Sequence, residues 1–317
     1  MKKCFLYTAT GLIIPFLLLL IFPSTLPAQS LPGAKEGLHF DSLATRWDEA
    51  IPLGNGIIGG LVYNKNGKLR VALDRADLWD LRPVKEFSSP DFNFPFVYDQ
   101  VVNKKNMSAV HKLLDEPYDR DPAPTKIPAG ALEFNIASLG KVKSVYLDIA
   151  TATTYIIWGN GARATIFIDA NKPVGWFRFE NLPVAIVPLL DAPKYGSAAG
   201  EDKNQGFSGG QDLRRLGYPA GVITRADHSI NFHQQAWGGL SYDIAVKWKR
   251  TGAASIEGAF SVTSQHTPYS TPASALESAS AALKRGFQKD RKEHIAWWKN
   301  YWLASAIQIP DSILQHQ

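Results

Sequence analysis

The sequence predicts a mainly β protein: a large antiparallel β-sandwich of the supersandwich kind, followed by C-terminal linker helices. Three observations lead there. From about residue 38 to residue 264, short apolar segments of period two alternate with clusters of Gly, Pro, Asn and Asp. Asn66-Gly67 and Asn160-Gly161, which separate such segments, are the dipeptides of tight hairpin turns. From residue 274 to 304 the period becomes helical, with Leu276, Ala279, Leu283 and Phe287, then Ile295, Trp298 and Trp302.

At the N-terminus, Lys2 and Lys3 precede an apolar run over residues 11–22, and Pro23, Ser24 and Pro27-Ala28-Gln29 supply a breaker and a small-residue exit. This pattern predicts a secretory signal peptide over residues 1–28, cleaved after Ala28, and a periplasmic or extracellular protein. The apolar run is shorter than the roughly 20 residues that span a bilayer, and Pro15 interrupts it, so no stable membrane insertion is expected after cleavage. Cys4 precedes that run and is the chain's one cysteine. The processed chain therefore has no disulfide and no thiolate chemistry, and its stability must come from its core. The net charge of +5 includes the two leader lysines, and the remaining charges are interspersed. Nucleic acid is not an expected partner, because a binder clusters its Lys and Arg, whereas residues 247–250 and 284–292 fit solvated faces of a strand and a helix.

The sandwich is expected over residues 29–272. It opens on Pro52-Leu53-Gly54-Asn55-Gly56-Ile57-Ile58-Gly59-Gly60. Gly54, Gly56 and Gly59 satisfy G-x-G-x-x-G, with Asp74 about 20 residues on, yet a dinucleotide site needs a helix after the glycines to hold the pyrophosphate. Here residues 57–63 and 68–73 read as the two strands of a hairpin, so Gly54, Asn55, Gly56 and Gly59 are read as a structural motif and no cofactor is expected. Further strands are expected at residues 131–136, 143–149, 153–158, 162–168, 174–180, 184–190, 220–225, 229–236, 240–250 and 255–264. Met107, Val110, Leu113 and Leu114 place a helix over residues 103–116, ahead of a Pro-rich loop at 117–128. The Gly/Ser-rich stretch 194–218 has no apolar periodicity and reads as a flap or a disordered segment. Residues 273–317 form the helical linker, which Gly286 divides; the capping-box spacing of Asp290 and Glu293 predicts a second helix start near Arg291.

The densest acidic cluster is Asp74, Asp77 and Asp80, with Arg75 and Trp79 between them. An aromatic face can stack on a sugar ring while carboxylates and a guanidinium bond its hydroxyls, which makes Arg75, Asp77, Trp79 and Asp80 the candidate glycan-binding residues. The competing reading has these acids capping a turn and pairing with Arg75 or Arg82. Histidine suggests no metal: His228 and His233 are five apart in a strand and face opposite sides, while His111 and His294 lie in helices without acidic or cysteine partners at ligand spacing. No loop has EF-hand spacing, and no G-x-S-x-G elbow supports serine chemistry. Trp158, Trp176, Trp237 and Trp248 could form a sugar platform, but a sandwich of this size needs such volume in its core.

The motif at residues 52–60 resembles the opening "A-L-P-L-G-N-G-x-x-G" of the N-terminal β-sandwich in family 95 glycoside hydrolases, the α-L-fucosidases, and allied bacterial families. Residues 124–130 are similar to the strand lead-in of those sandwiches. His294, Trp297, Trp298, Tyr301, Trp302 and Ser305 resemble the helix joining sandwich to barrel. The resemblance implies a domain of a glycan-degrading protein whose catalytic residues belong to an (α/α)6 barrel absent from this chain. It implies a glycan and that barrel as partners, inactivity alone, and no catalytic residue here. The chain reads Asp74-Arg75-Ala76-Asp77-Leu78-Trp79-Asp80 where the fucosidases read "N-E-D-T-L-W", so fucose specificity does not carry over. The alternative is a free-standing carbohydrate-binding or scaffold sandwich. Against it, the aromatic-rich helix followed by residues 307–317 leaves an apolar strip without cover.

Overall fold

The structure, a computed structural model, describes residues 31–120, 124–195, 213–265, 273–305, 307, 309–311, 313 and 314. The expected leader with Cys4 and most of segment 194–218 lie outside the described residues. Sixteen strands, numbered along the chain, are present among them. A nine-stranded sheet has the order β1 (Leu38–Phe40), β8 (Val142–Asp148), β9 (Thr153–Trp158), β10 (Arg163–Ile168), β11 (Gly175–Glu180), β16 (Ser255–Gln265), β15 (Ser241–Gly252), β14 (Ser229–Gln235) and β13 (Val222–Ala226). A five-stranded sheet runs β12 (Pro188–Asp191), β7 (Ala131–Asn135), β4 (Lys68–Arg75), β3 (Ile58–Lys65) and β2 (Ile51–Gly54). β5 (Trp79–Asp80) and β6 (Thr125–Lys126) form a separate pair.

The alternation of side chains along a strand makes this a sandwich. Ile156, Trp158, Ile166, Ile168, Phe177 and Phe179 of the large sheet point inward to Val71, Leu73, Leu132 and Phe134 of the small one. Phe134 sits at the centre, its ring 4.8 Å from Phe177 and 4.9 Å from Phe179. The hairpin turns are those the dipeptides predict: Asn66 and Gly67 both have positive φ, and Gly161 closes the β9–β10 turn at φ 88°. The β11–β16 pair contains a reciprocal fit, with Gly175 opposite Phe260 and Phe177 opposite Gly258. Each ring lies over the facing glycine, so a Cβ on Gly258 would come within 2.2 Å of Phe177 and 2.9 Å of the Lys247 carbonyl.

The segment expected as a strand at 184–190 is strand only over Pro188–Asp191, since Pro183 and Pro188 keep the intervening residues from pairing. β1, β2, β5 and β6 escape sequence reading because they are too short for alternation to register. α1 (Phe94–Tyr98) is followed by a π-helical turn, Asp99–Asn103, and α2 spans Met107–Arg120. The helix expected at 103–116 thus starts later, because Lys105 takes φ 54°, and continues through Pro117.

The reverse face of the nine-stranded sheet is covered in part by α3 (Ala275–Arg285) and α4 (Phe287–Ala304). Ala279, Ala282 and Phe287 pack on Phe167, Val174, Trp176 and Ala259. α3 starts at Ser274 with a capping box in which Ser274 and Glu277 bond each other's backbone N–H. Gly286 divides the helices as expected, but α4 begins at Phe287 rather than near Arg291, and the expected cap, Asp290, is buried instead. Its carboxylate accepts from Arg285 Nε at 2.9 Å, Arg285 Nη2 at 2.8 Å and Trp176 Nε1 at 3.2 Å. One turn on, buried His294 donates from Nε2 to the Thr151 carbonyl at 2.7 Å and accepts the Ala170 N–H at Nδ1 at 3.2 Å, a neutral ring with both nitrogens used. Phe287, Asp290, His294, Trp298 and Trp302 form the stripe facing the sheet, and Trp302 Nε1 ends it on the Ile149 carbonyl at 3.1 Å. Trp297 and Tyr301, stacked with centroids 5.5 Å apart, face outward. No helix among the described residues is long and apolar enough to cross a membrane.

Two outcomes follow. Gly258→Ala lowers stability by about 1–3 kcal/mol, read as a reduced thermal midpoint, because neither the Phe177 ring nor the Lys247 carbonyl has room to retreat. Burial pushes the His294 pKa from the usual 6.5 down to about 4. Between those values the unfolded chain binds a proton that the folded chain refuses, so stability is complete above pH 6.5 and falls with pH toward 4. The loss is on the order of 3 kcal/mol, and urea titrations at several pH values should show that part of the slope vanish in His294→Gln.

Candidate functional site

The glycine motif is a joint between the two sheets. Asn55 lies in the β2–β3 turn, where its Oδ1 accepts the N–H groups of Ile57 at 3.0 Å and Ile58 at 2.9 Å. Its Nδ2 donates to the Asp169 carbonyl at 2.8 Å and the Lys172 carbonyl at 3.0 Å, in the turn between β10 and β11 of the other sheet. Gly56 has φ 86°, which a side chain would strain, and a Cβ on Gly54 would meet the Ile58 carbonyl at 3.3 Å. Gly59 has ordinary room. A strand, β3, follows the glycines, so the helix that a dinucleotide site requires is not there.

β4 leads from this joint into the acidic cluster. Arg75, at its end, is fully buried and crosses to β16, donating to Ser264 Oγ at 3.0 Å and the Val262 carbonyl at 3.2 Å. Asp77 pairs with it at 2.8 Å and accepts from Ser264 Oγ at 2.6 Å. Asp80 is buried, paired with Arg82 at 2.6 Å and bonded by the Tyr218 hydroxyl at 2.6 Å. Asp74 is paired with Lys126, whose ammonium also donates to the Arg75 carbonyl at 2.7 Å. Short β5 and β6 pair across this segment, with Trp79 opposite Lys126 and Asp80 opposite Thr125. Trp79 is the exception among the four predicted residues: its Nε1 donates to the Ala76 carbonyl at 3.1 Å, and its side chain is 43% exposed.

The electrostatics follow from these partners. Burial alone would raise the Asp80 pKa, but the bonds from Arg82 and Tyr218 outweigh it and hold the group below its usual 3.8. A general acid needs the opposite shift, so Asp80 is set up as a fixed anion rather than a proton donor. Burial and the Asp80 carboxylate push the Tyr218 phenol up, and burial does the same to Tyr195 and Tyr242, whose hydroxyls meet at 2.8 Å. All three act as neutral hydroxyls at ordinary pH.

Arg75, Asp77, Trp79 and Asp80 therefore come together, but three of them face inward. Sequence reasoning missed Ser264 and Tyr218, which lie 187 residues from Asp77 and 138 residues from Asp80, with no local signal pointing to either. Among the other candidates, Trp158 and Trp176 are fully buried, Trp248 is partly buried and Trp237 is exposed. His111 is not without an acidic partner, as the sequence reading has it, but pairs with Asp115 one turn on. His228 sits at a turn beside Asp227, and His233 pairs with Asp243 at 3.0 Å, so the two histidines share no site.

A model of the glycosyl hydrolase family 65 N-terminal domain matches residues 38–180, from the first residue of β1 to the last of β11. No curated protein sequence matches the chain. Among solved structures, one described as a kojibiose phosphorylase from the human microbiome aligns with a TM-score of 0.48 at 10% identity, over 87% of this chain. The chain spans 36% of that structure's length. The protein thus carries a glycoside-hydrolase-like N-terminal β-sandwich domain.

One contrast tests the reading of the cluster. Asp80→Ala leaves the Tyr218 hydroxyl without its acceptor and Arg82 with the Leu216 carbonyl but no carboxylate, and costs about 3 kcal/mol, whereas Trp79→Ala changes stability by no more than about 0.5 kcal/mol; chemical denaturation of both variants separates the two roles.

Proposed function

We propose that this chain is the N-terminal, non-catalytic domain of an exported protein that degrades glycans, and that it works beside a catalytic barrel rather than by itself. The match to the family 65 N-terminal domain over residues 38–180 is the observation that carries this reading. The motif at residues 52–60 and the aromatic helix α4 favour a finer placement, in a branch allied to the family 95 sandwiches. In this reading Asn55 and Arg75 fix the sandwich, α4 leads toward the barrel, and the exposed Trp79 lends a stacking face to one rim of the sugar cleft.

The arrangement of the acids supports a non-catalytic role. Hydrolysis of a glycoside normally uses two carboxyl groups, one held protonated and one free to act as base or nucleophile. Asp77 and Asp80 are each committed to a guanidinium and a hydroxyl. The leader at residues 1–28 supports export.

Assaying the purified 317-residue chain against aryl glycosides and disaccharides, with and without inorganic phosphate, should give no turnover above the buffer rate. Turnover at an enzyme-like rate would overthrow the proposal. Export is checked separately by N-terminal sequencing of the secreted product, expected to begin at Gln29.

A further inference from the structure

The outer face of the nine-stranded sheet beyond the cover of α3 and α4 holds a groove of about 470 Å³ that shares no residue with the Arg75–Asp80 segment. Strand register builds it. His39 of β1, Tyr146 of β8, Tyr155 of β9, Thr165 of β10 and Arg178 of β11 stand side by side in one row across the strands. The first three rings are stacked, with His39 and Tyr146 centroids 4.2 Å apart and Tyr146 and Tyr155 centroids 6.2 Å apart. Thr165 is the one short side chain in the row. With strands about 4.8 Å apart, Tyr155 and Arg178 are separated by about 10 Å at the sheet, and the threonine between them leaves a notch as wide as a sugar ring.

The walls of the notch are charged. Arg163, Arg178 and Arg291 line it with one carboxylate, Glu180; Arg178 is paired with Glu180 at 3.2 Å and with Glu257 at 4.0 Å, so Arg163 and Arg291 carry the excess positive charge. From α4, Arg291 reaches over the notch to donate to the Tyr155 hydroxyl at 2.6 Å, and Arg178 lies 5.4 Å from the centroid of the Phe287 ring. Both guanidiniums keep a buried Nε–H without an acceptor among the described residues. Those two atoms are enclosed and do not open into the groove; what points to an anionic ligand is the excess of Arg163 and Arg291 beside one aromatic wall. Arg163, directly opposite Glu180 in the β10–β11 register, is exposed and forms no ion pair among the described residues.

We propose that this notch binds an acidic saccharide, a sugar unit bearing a carboxylate or sulfate, with its ring against Tyr155 and its anion on Arg291 and Arg163. The proposal takes its class of ligand from the glycan reading above, and none of its residues. Aromatic faces take the C–H side of a sugar ring, while planar guanidiniums bind carboxylate or sulfate through paired hydrogen bonds.

Calorimetric titration of the full chain with trigalacturonate, a sulfated galactan oligosaccharide and neutral galactotriose tests it. At least one acidic sugar should bind and the neutral one should bind at least tenfold more weakly; which acidic sugar binds identifies the anion. Arg163→Glu, a change at an exposed position, should weaken binding by about tenfold or more. Thr165→Phe, which fills the notch, should abolish it, and thermal unfolding confirms that each variant is folded. If Thr165→Phe does not fold, Arg163→Glu decides alone. Binding of neither acidic sugar, equal binding of the neutral one, or an unaltered affinity in folded Arg163→Glu overturns the proposal. Any of these leaves the non-catalytic reading standing, because that reading is decided by turnover.

Discussion

The buried carboxylate of Asp290 fixes how the rest of the molecule is arranged. It stands where α3, α4 and the nine-stranded sheet meet, and it takes hydrogen bonds from one Arg285 guanidinium and the Trp176 indole. A charge in such a place is tolerated only while its partners stay in position. Arg285 therefore sets the angle between the helices across Gly286, and Trp176 ties both helices to β11. His294 adds a second bond to the sheet one turn later, neutral and using both nitrogens. The helices are held by polar bonds whose directions matter as well as by apolar contact.

The two sheets are joined on the same principle. Their shared core supplies the non-directional attraction, but Asn55 and Arg75 decide the alignment by reaching from the small sheet to particular carbonyls of the large one. The acidic cluster beside Arg75 belongs to this framework. Its carboxylates are committed to guanidiniums, an ammonium and hydroxyls, and Asp80 is held below its usual pKa, which suits rigid positioning and is ill suited to proton donation.

Function is thereby distributed. The interior of the sandwich and its polar ties give a stiff platform, and what remains open to ligands is at its surface: the Trp79 side chain at one place, the Tyr155–Thr165–Arg178 notch at another, and the Trp297–Tyr301 pair on α4. The proposed supporting role fits that division, since residues that hold the fold cannot also change partners with each ligand bound.

The sequence by itself determined the class of fold, most of the strands, the hairpins at Asn66-Gly67 and Asn160-Gly161, and the break at Gly286, because each is dictated by local periodicity or by a backbone angle that few residues accept. Gly54-Asn55-Gly56 was legible as a turn and not as a joint, since the acceptors of Asn55 lie 114 and 117 residues away. Asp290 shows the limit most clearly: its spacing to Glu293 reads as a cap, whereas the capping box is at Ser274 and Glu277, and Asp290 is taken inward by Arg285 and Trp176. The inward turn of Asp77 and Asp80, the neutrality of His294 and the row from His39 to Arg178 were likewise settled by tertiary structure. Strand register and helix docking choose which distant side chains meet, and no short-range pattern encodes that choice.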